Sequence, residues 1–426
     1  MSERRAHLIQ DPLGANSNAW NRVRYTLQTR QVPGPSHANN ANDCEPVLEV
    51  GRLILGAPRF SAYPLPSVFV AGCEKPALPW FRLRRIGQIA CLSIAMAVPA
   101  FGKDPHRWQE IPPPPQGAAG FARGVVATGP VIAGGNLWDG DSKLTLEESW
   151  RYNPAEGSWQ AHARLPHPFA FGAHGTVNDT LYLAGGDDGI TTRDEVVAID
   201  RNGAASVLGR LPQPVAYAGG AVLRNRLYVV GGSTDASRPL AMHDRFLSVD
   251  LTGSRIQFNS PFPGGPVIHA ACVAATDTLY VFTGGQTTKD ATRIANSSGA
   301  WRFDPVAGAW TRLPAYPFPV RGLAAVNLDD RHLLLAGGYR DPESAEGPPT
   351  FTDASFIFDT STETYRAAPS LPFSSMLVGL VVHEGWIYVF GGEQAPRQRI
   401  GVAYRTRIES LLAATVAESS DVTRKP

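Results

Sequence analysis

The chain has 426 residues, 43% of them hydrophobic and 18% charged, with a formal net charge of +1 at pH 7. That composition is ordinary for a globular β protein, and the near-neutral balance gives no support for a nucleic-acid partner or a polybasic membrane patch. Length alone allows two or three domains.

Residues 1–81 are rich in Pro, Asn and Arg and show neither repeat nor sustained periodicity. They read as a disordered leader or as a start site placed too far upstream. Residues 82–100 follow with a basic opening, Arg82-Leu-Arg84-Arg85, an apolar stretch from Ile86 to Val98, and a Val98-x-Ala100 pair. That is the anatomy of a secretory signal peptide, and its apolar stretch falls short of the roughly 20 residues a membrane span needs. The expectation is export to the periplasm or medium, with no stable membrane insertion after signal removal. A short buried helix over 86–98 and an N-terminal anchor are the alternatives. Cys44, Cys73 and Cys91 precede the cleavage point, so Cys272 alone remains and no internal disulfide is expected. Its place in a small-residue strand predicts a packed, inert thiol.

From His106 the chain turns to short strands. His106-Arg-Trp108-Gln-Glu-Ile111-Pro112 has the aromatic residue and proline exit of a fourth strand, with no third strand before it. Six Gly-Gly doublets then close short apolar runs, with first glycines Gly134, Gly185, Gly231, Gly284, Gly337 and Gly391. Their spacings, 51, 46, 53, 53 and 54 residues, match the period of kelch blades. Each unit carries a small-residue strand, a polar turn, an apolar strand into the doublet, a third strand ending in Asp/Asn-Pro or Asp-Thr, and a fourth with an aromatic and a Leu-Pro exit. The clearest copies of the last two strands are Trp150–Trp159 and Trp301–Trp310. The final segment, Gly401–Ile408, is a third strand with no fourth after it, so it should pair with the strand at Trp108 and shut the ring. The prediction is an all-β, six-bladed kelch propeller over residues 101–412, closed by its two ends, with a flexible tail over 413–426. Trp108, Trp150, Trp159, Trp301 and Trp310 are expected to pack blades. Asp187-Asp188 and Asp194-Glu195 fit no calcium-loop spacing and read as a solvated turn.

Propellers place ligand sites at a mouth of the central channel. The residues after each doublet are Asn136, Asp187, Ser233, Gln286, Tyr339 and Glu393. Only Glu393 is a lone carboxylate in a basic neighbourhood, Gly391-Gly392-Glu393-Gln394-Ala395-Pro396-Arg397-Gln398-Arg399. A glutamate partnered by arginine makes an acid–base and anchor pair, because guanidinium binds carboxylate as a fork; a surface salt bridge has the same sequence signature. On the inner strands, His269 and Arg321 are placed as equivalents, alongside Phe171, Tyr217 and Met376. Arg321 is read as a clamp for an acidic sugar, and His269 or Tyr217 as a second acid–base group. The alternative is that they fill the channel and pair with backbone carbonyls.

Gly392-Glu393, Pro396 and Arg399 match the Gly-Glu-x-x-Pro-x-x-Arg motif of the kelch-type N-acetylneuraminate epimerases, or sialic acid mutarotases, and their cyclically permuted relatives. The chain resembles that family over about three quarters of its length. The strand Gly117-Ala-Ala-Gly120-Phe121-Ala122-Arg123-Gly124-Val125 also resembles the family's Gly/Ala/Phe-rich strand, and Arg123 is carried as a substrate-binding candidate with Arg321, His269 and Tyr217. The resemblance implies an exported propeller with Glu393 as proton acceptor and Arg399 beside it. Arg397 stands where the family has a small residue, and the motif lies in the final blade, as expected of a permuted member. The implied activity is a mutarotase or epimerase on an acidic sugar, needing two acid–base groups and neither metal nor cofactor. A non-catalytic module binding a glycan or protein is the second reading, since a propeller does not specify function. A copper radical oxidase needs clustered Tyr, His and Cys ligands, and Tyr217, His269 and Cys272 do not reproduce that arrangement.

Overall fold

In five of the six doublets both glycines adopt left-handed φ, for example 66° and 100° at Gly134 and Gly135. The second then donates its N–H to a carbonyl at the entry of the next blade. These bonds run Gly135 to Phe169 (2.7 Å), Gly186 to Val215 (2.7 Å), Gly232 to Val267 (2.8 Å), Gly284 to Val320 (3.0 Å), Gly338 to Ser375 (2.8 Å) and Gly392 to Ala118 (2.9 Å). A Cβ on Gly134, Gly185 or Gly231 would lie on the same carbonyl oxygen, so the close approach that links blades requires glycine. In the fourth repeat the pattern slips by one residue. Thr283 (φ 59°) takes the first position and Gly284 the second, so Gly285, rather than Gln286, is the equivalent of Asn136 and Glu393.

The computed structural model describes residues 108–253, 255–341 and 350–422. It contains six four-stranded antiparallel sheets. Their inner strands are Ala122–Val126, Ala173–Val177, Gly219–Leu223, Ala271–Ala275, Ala324–Asn327 and Gly379–His383. Each inner strand touches the next, and the last returns to the first, which closes the ring. The last sheet takes its outer strand from the beginning of the chain. Gln109 lies opposite Arg405 and Glu110 opposite Tyr404, and the Ile111 N–H donates to the Ala403 carbonyl at 3.0 Å. This is the closure expected from the two incomplete repeats.

Apolar side chains fill the gaps between blades. At the seam, Tyr152 meets Tyr388 (ring centroids 5.9 Å apart) and Trp159 meets Phe390 (5.5 Å). The Trp159 indole also donates to the Pro112 carbonyl at 2.8 Å. The other four recurring tryptophans pack against the same apolar clusters.

After the closing strand Ala403–Arg407 the chain forms a helix, Ile408–Val422, in place of the expected tail. Its fully buried Leu411, with Ile408 and Leu412, packs on the cluster shared by the fifth and sixth blades. Among the described residues no helix is long and apolar enough to cross a membrane. The expected leader, signal segment, and Cys44, Cys73 and Cys91 lie outside the described residues.

Candidate functional site

The residue after each doublet forms a short bridge to the entry of its own inner strand: Asn136 to Ala119, Asp187 to Ala170, Ser233 to Ala216, Gly285 to Ile268, Tyr339 to Arg321 and Glu393 to Met376. The next entry residue is left-handed in every blade: Gly120, Phe171, Tyr217, His269, Gly322 and Leu377, with φ from 51° to 70°. This register corrects the expected equivalences. His269 matches Phe171, Tyr217 and Leu377, whereas Arg321 and Met376 match Ile268, because Pro266-Val-Ile-His269 is one residue longer than Pro319-Val-Arg321. The left-handed residues form a backbone collar around the channel. The N–H of Phe171 donates to Gly120 (2.7 Å), Tyr217 to Phe171 (2.7 Å), His269 to Tyr217 (2.8 Å), Gly322 to His269 (3.1 Å) and Leu377 to Gly322 (2.8 Å). Bulky residues are disfavoured in this conformation and persist where surrounding structure over-determines them. Here the collar does so.

Glu393 and Arg399 face each other across a two-stranded hairpin, Glu393–Ala395 and Gln398–Arg399. Arg399 Nη1 is 2.6 Å from Glu393 Oε1, and both side chains are largely buried, at 8% and 15% exposure. The pair is close but not an aligned hydrogen bond. The Arg397 N–H also donates to Oε1 at 3.0 Å, and Oε2 carries no partner among the described residues. Arg399 Nε donates to Asn136 Oδ1 at 3.0 Å. Arg397 sits at the hairpin turn with φ 66°, a physical reason for a small residue at this place. Its side chain points away, over the Trp138 ring at 4.7 Å, with Asp141 Oδ1 3.3 Å from Nη1.

Arg321 is held from three sides. Its Nη1 donates to Asn296 Oδ1 at 2.8 Å and lies 3.5 Å from Asp341 Oδ1, and its guanidinium stacks 4.1 Å from the Tyr339 ring centroid. The side chain passes over Gly285, where a Cβ would crowd Arg321 Cδ, so the slip in the fourth repeat makes room for it. The Phe171, Tyr217 and His269 rings pack together, with centroids 4.9 to 5.8 Å apart. Gly120 completes this cluster, since a Cβ there would strike the Phe171 ring.

Burial first, then the Arg321 and Arg399 charges, push the His269 imidazole down to about 3. It is neutral near pH 7 and available as a hydrogen-bonding group rather than as an imidazolium acid. Burial, with Asp187 and Asp235 nearby, pushes the Tyr217 phenol up to about 12, and its hydroxyl donates to the Ala236 carbonyl at 3.0 Å. Neither group titrates near pH 7, so neither is poised as the expected second acid–base group. Lys143 reaches in from the first blade, 2.8 Å from Asp187 Oδ2 and 5.2 Å from the Phe171 ring centroid.

Arg123 lies further along the inner wall, three residues after the collar position, beside His174 at the same level of the second blade. Cys272 occupies this level in the fourth blade, and burial pushes its thiol up to about 12. The Arg321 and Arg399 charges both reach the His269 ring, and Glu393 is in contact with Arg399. Asn136, Lys143, Asn296 and Asp341 escaped the sequence reading. Asn136 alone carried a signal, as the equivalent of Glu393.

No family model matches the chain. Over 94 residues, 22% of the chain, it is 36% identical to the N-acetylneuraminate epimerases of Yersinia pestis and Yersinia pseudotuberculosis. The match spans only 24% of the length of those relatives. Over 128 residues it is 27% identical to Kelch-like protein 40a of Danio rerio, covering 30% of this chain and 20% of that protein. The solved structure of YjhT superposes with a TM-score of 0.57, covering 69% of this chain and 95% of that one at 14% identity. That likeness shows the shared propeller fold.

Proposed function

We propose that the protein is a cofactor-free mutarotase or epimerase that interconverts the anomers of N-acetylneuraminate or a related acidic sugar. The observation that carries this reading is the largely buried Glu393–Arg399 pair, with Glu393 Oε2 unpartnered among the described residues. The local identity to N-acetylneuraminate epimerases supports it.

In this reading Glu393 Oε2 takes the proton of the anomeric hydroxyl while the ring C–O bond breaks and a carbonyl forms. The proton passes to the ring oxygen, directly or through water. Rotation about the exposed carbon–carbon bond and the reverse steps give the other anomer, so protons balance with no net oxidation. Arg399, held by Glu393 and Asn136, orients the carboxylate and faces the charge on the sugar. Arg321, already neutralised by Asp341, helps shape the pocket, and the neutral His269 supplies a hydrogen bond. The hairpin's place in the last blade fits a cyclically permuted member of the family, and the segment at 82–100 would export the protein to the periplasm or medium.

The test is proton NMR of freshly dissolved N-acetylneuraminate with the purified protein, against buffer alone. Faster anomer equilibration supports the enzyme. Saturable sugar binding without acceleration would favour a non-catalytic carbohydrate-binding propeller.

A further inference from the structure

Three cations at the channel mouth are matched by carboxylates: Arg399 by Glu393, Lys143 by Asp187 and Arg321 by Asp341. Arg123 breaks this pattern. It forms no ion pair among the described residues, and its one side-chain hydrogen bond there runs from Nη1 to His174 Nε2 at 3.3 Å. His174 Nδ1 lies 3.2 Å from the Gly172 carbonyl and so carries the proton, which leaves Nε2 as the acceptor. Burial first, then the Arg123 charge, push His174 down to about 3. Burial alone pulls Arg123 down to about 10, so the guanidinium stays charged near pH 7. Among the described residues nothing nearby supplies the missing negative charge: His174 is neutral, the Cys272 thiol is protonated, and Gly220 offers no side chain at the same level of the third blade.

Arg123 and His174 line a half-open cavity of about 80 Å³, room for a few waters or one small anion. The Phe171, Tyr217 and His269 rings also line it. Arg123 and His174 are half-buried on the channel wall, and a charge held without a counter-ion in such a confined site is costly, while a guanidinium fork binds oxyanions in two parallel hydrogen bonds.

We propose that Arg123 and His174 form an anion site inside the channel, distinct from the Glu393–Arg399 pair, that takes a small anion or the carboxylate of an acidic ligand. The site does not depend on the proposed sugar chemistry. It supplies the counter-charge that the fold itself omits.

Sodium bromide is the probe, used on the full chain. Crystals soaked in bromide should show an anomalous peak on the Arg123 guanidinium. In solution, bromide should raise Tm by about 5 °C when present at about 100 times its Kd, against the bulky sulfonate MES at matched ionic strength. Arg123→Gln should abolish that rise, and Arg399→Lys should keep it. Absence of a peak at Arg123, or an equal rise in Arg123→Gln, overturns the proposal. If Arg123→Gln fails to fold, the anomalous map of the wild-type protein decides alone. Repeating the soak with N-acetylneuraminate distinguishes the sources: a retained bromide peak assigns the site to a free ion, and its loss with sugar density in its place assigns it to the sugar carboxylate.

Discussion

Arg399 Nε donates to Asn136 Oδ1 across the seam between the last blade and the first, two residues 263 positions apart in the chain. The arginine of the candidate site is therefore oriented by a side chain that arrives only when the ring closes. Asn136 is fully buried, and its amide nitrogen has no partner. Asn136→Ala should slow anomerisation while lowering stability modestly, by about 1–3 kcal/mol for the donor left unpaired on Arg399. Combined with Arg399→Lys, the two changes should be non-additive, with a coupling of about 0.5–3 kcal/mol in a double-mutant cycle on the rate. Strict additivity would show that the contact does not position Arg399.

Glu393→Gln keeps the shape and the hydrogen bond from the Arg397 N–H but removes the base. The catalysed part of the anomerisation rate should fall by about 10²–10⁴-fold, with little change in Tm. Arg399→Lys keeps the charge and loses the fork, so it should weaken acidic-sugar binding more than it lowers Tm. Full activity in Glu393→Gln would place the base elsewhere in the channel.

The glycine doublets, their period and the incomplete end repeats are local features, and from them the blades and the closure at Gln109 and Arg405 were legible. So was the Glu393–Arg399 pair, whose members share one hairpin. What the sequence hid depends on three-dimensional register or on distant partners. The slip to Thr283-Gly284 is invisible when Gly285 follows, and it moved the expected ring position from Gly285 to Gln286. The one-residue offset between the entries to His269 and Arg321 misaligned those residues for the same reason. Asn136 and Arg399 come from the first and last blades, and the neutrality of His269 follows first from its burial and then from two arginines in other blades. The C-terminal helix was different: Ile408, Leu411, Leu412 and Thr415 recur at helical spacing, and the signal was there to be read.

Deleting residues 402–422 removes the strand that pairs with Gln109–Glu110 and the buried Leu411. The first and last blades would then face each other across an open seam, with Tyr388 and Phe390 exposed. The truncated chain should lose its cooperative thermal transition. Deleting only 408–422 leaves the closing strand intact and should lower Tm while keeping one transition. A near-wild-type melt for the longer deletion would refute closure through the chain ends.

The two channel histidines predict how stability depends on pH. His174 and His269 are each held at about 3 in the folded protein, against an ordinary value of about 6.5. Between those values the unfolded chain binds more protons than the folded one, so stability is full above about pH 6.5 and falls as pH drops toward 3. Each histidine contributes a slope of at most about 1.4 kcal/mol per pH unit in that window. His174→Gln and His269→Gln should therefore flatten the decline of Tm between pH 6.5 and 4 relative to the wild-type protein, since carboxylate titrations are common to both. Parallel pH profiles for variant and wild type would mean that these imidazoles titrate near their ordinary value, and that the channel is wetter than its burial implies.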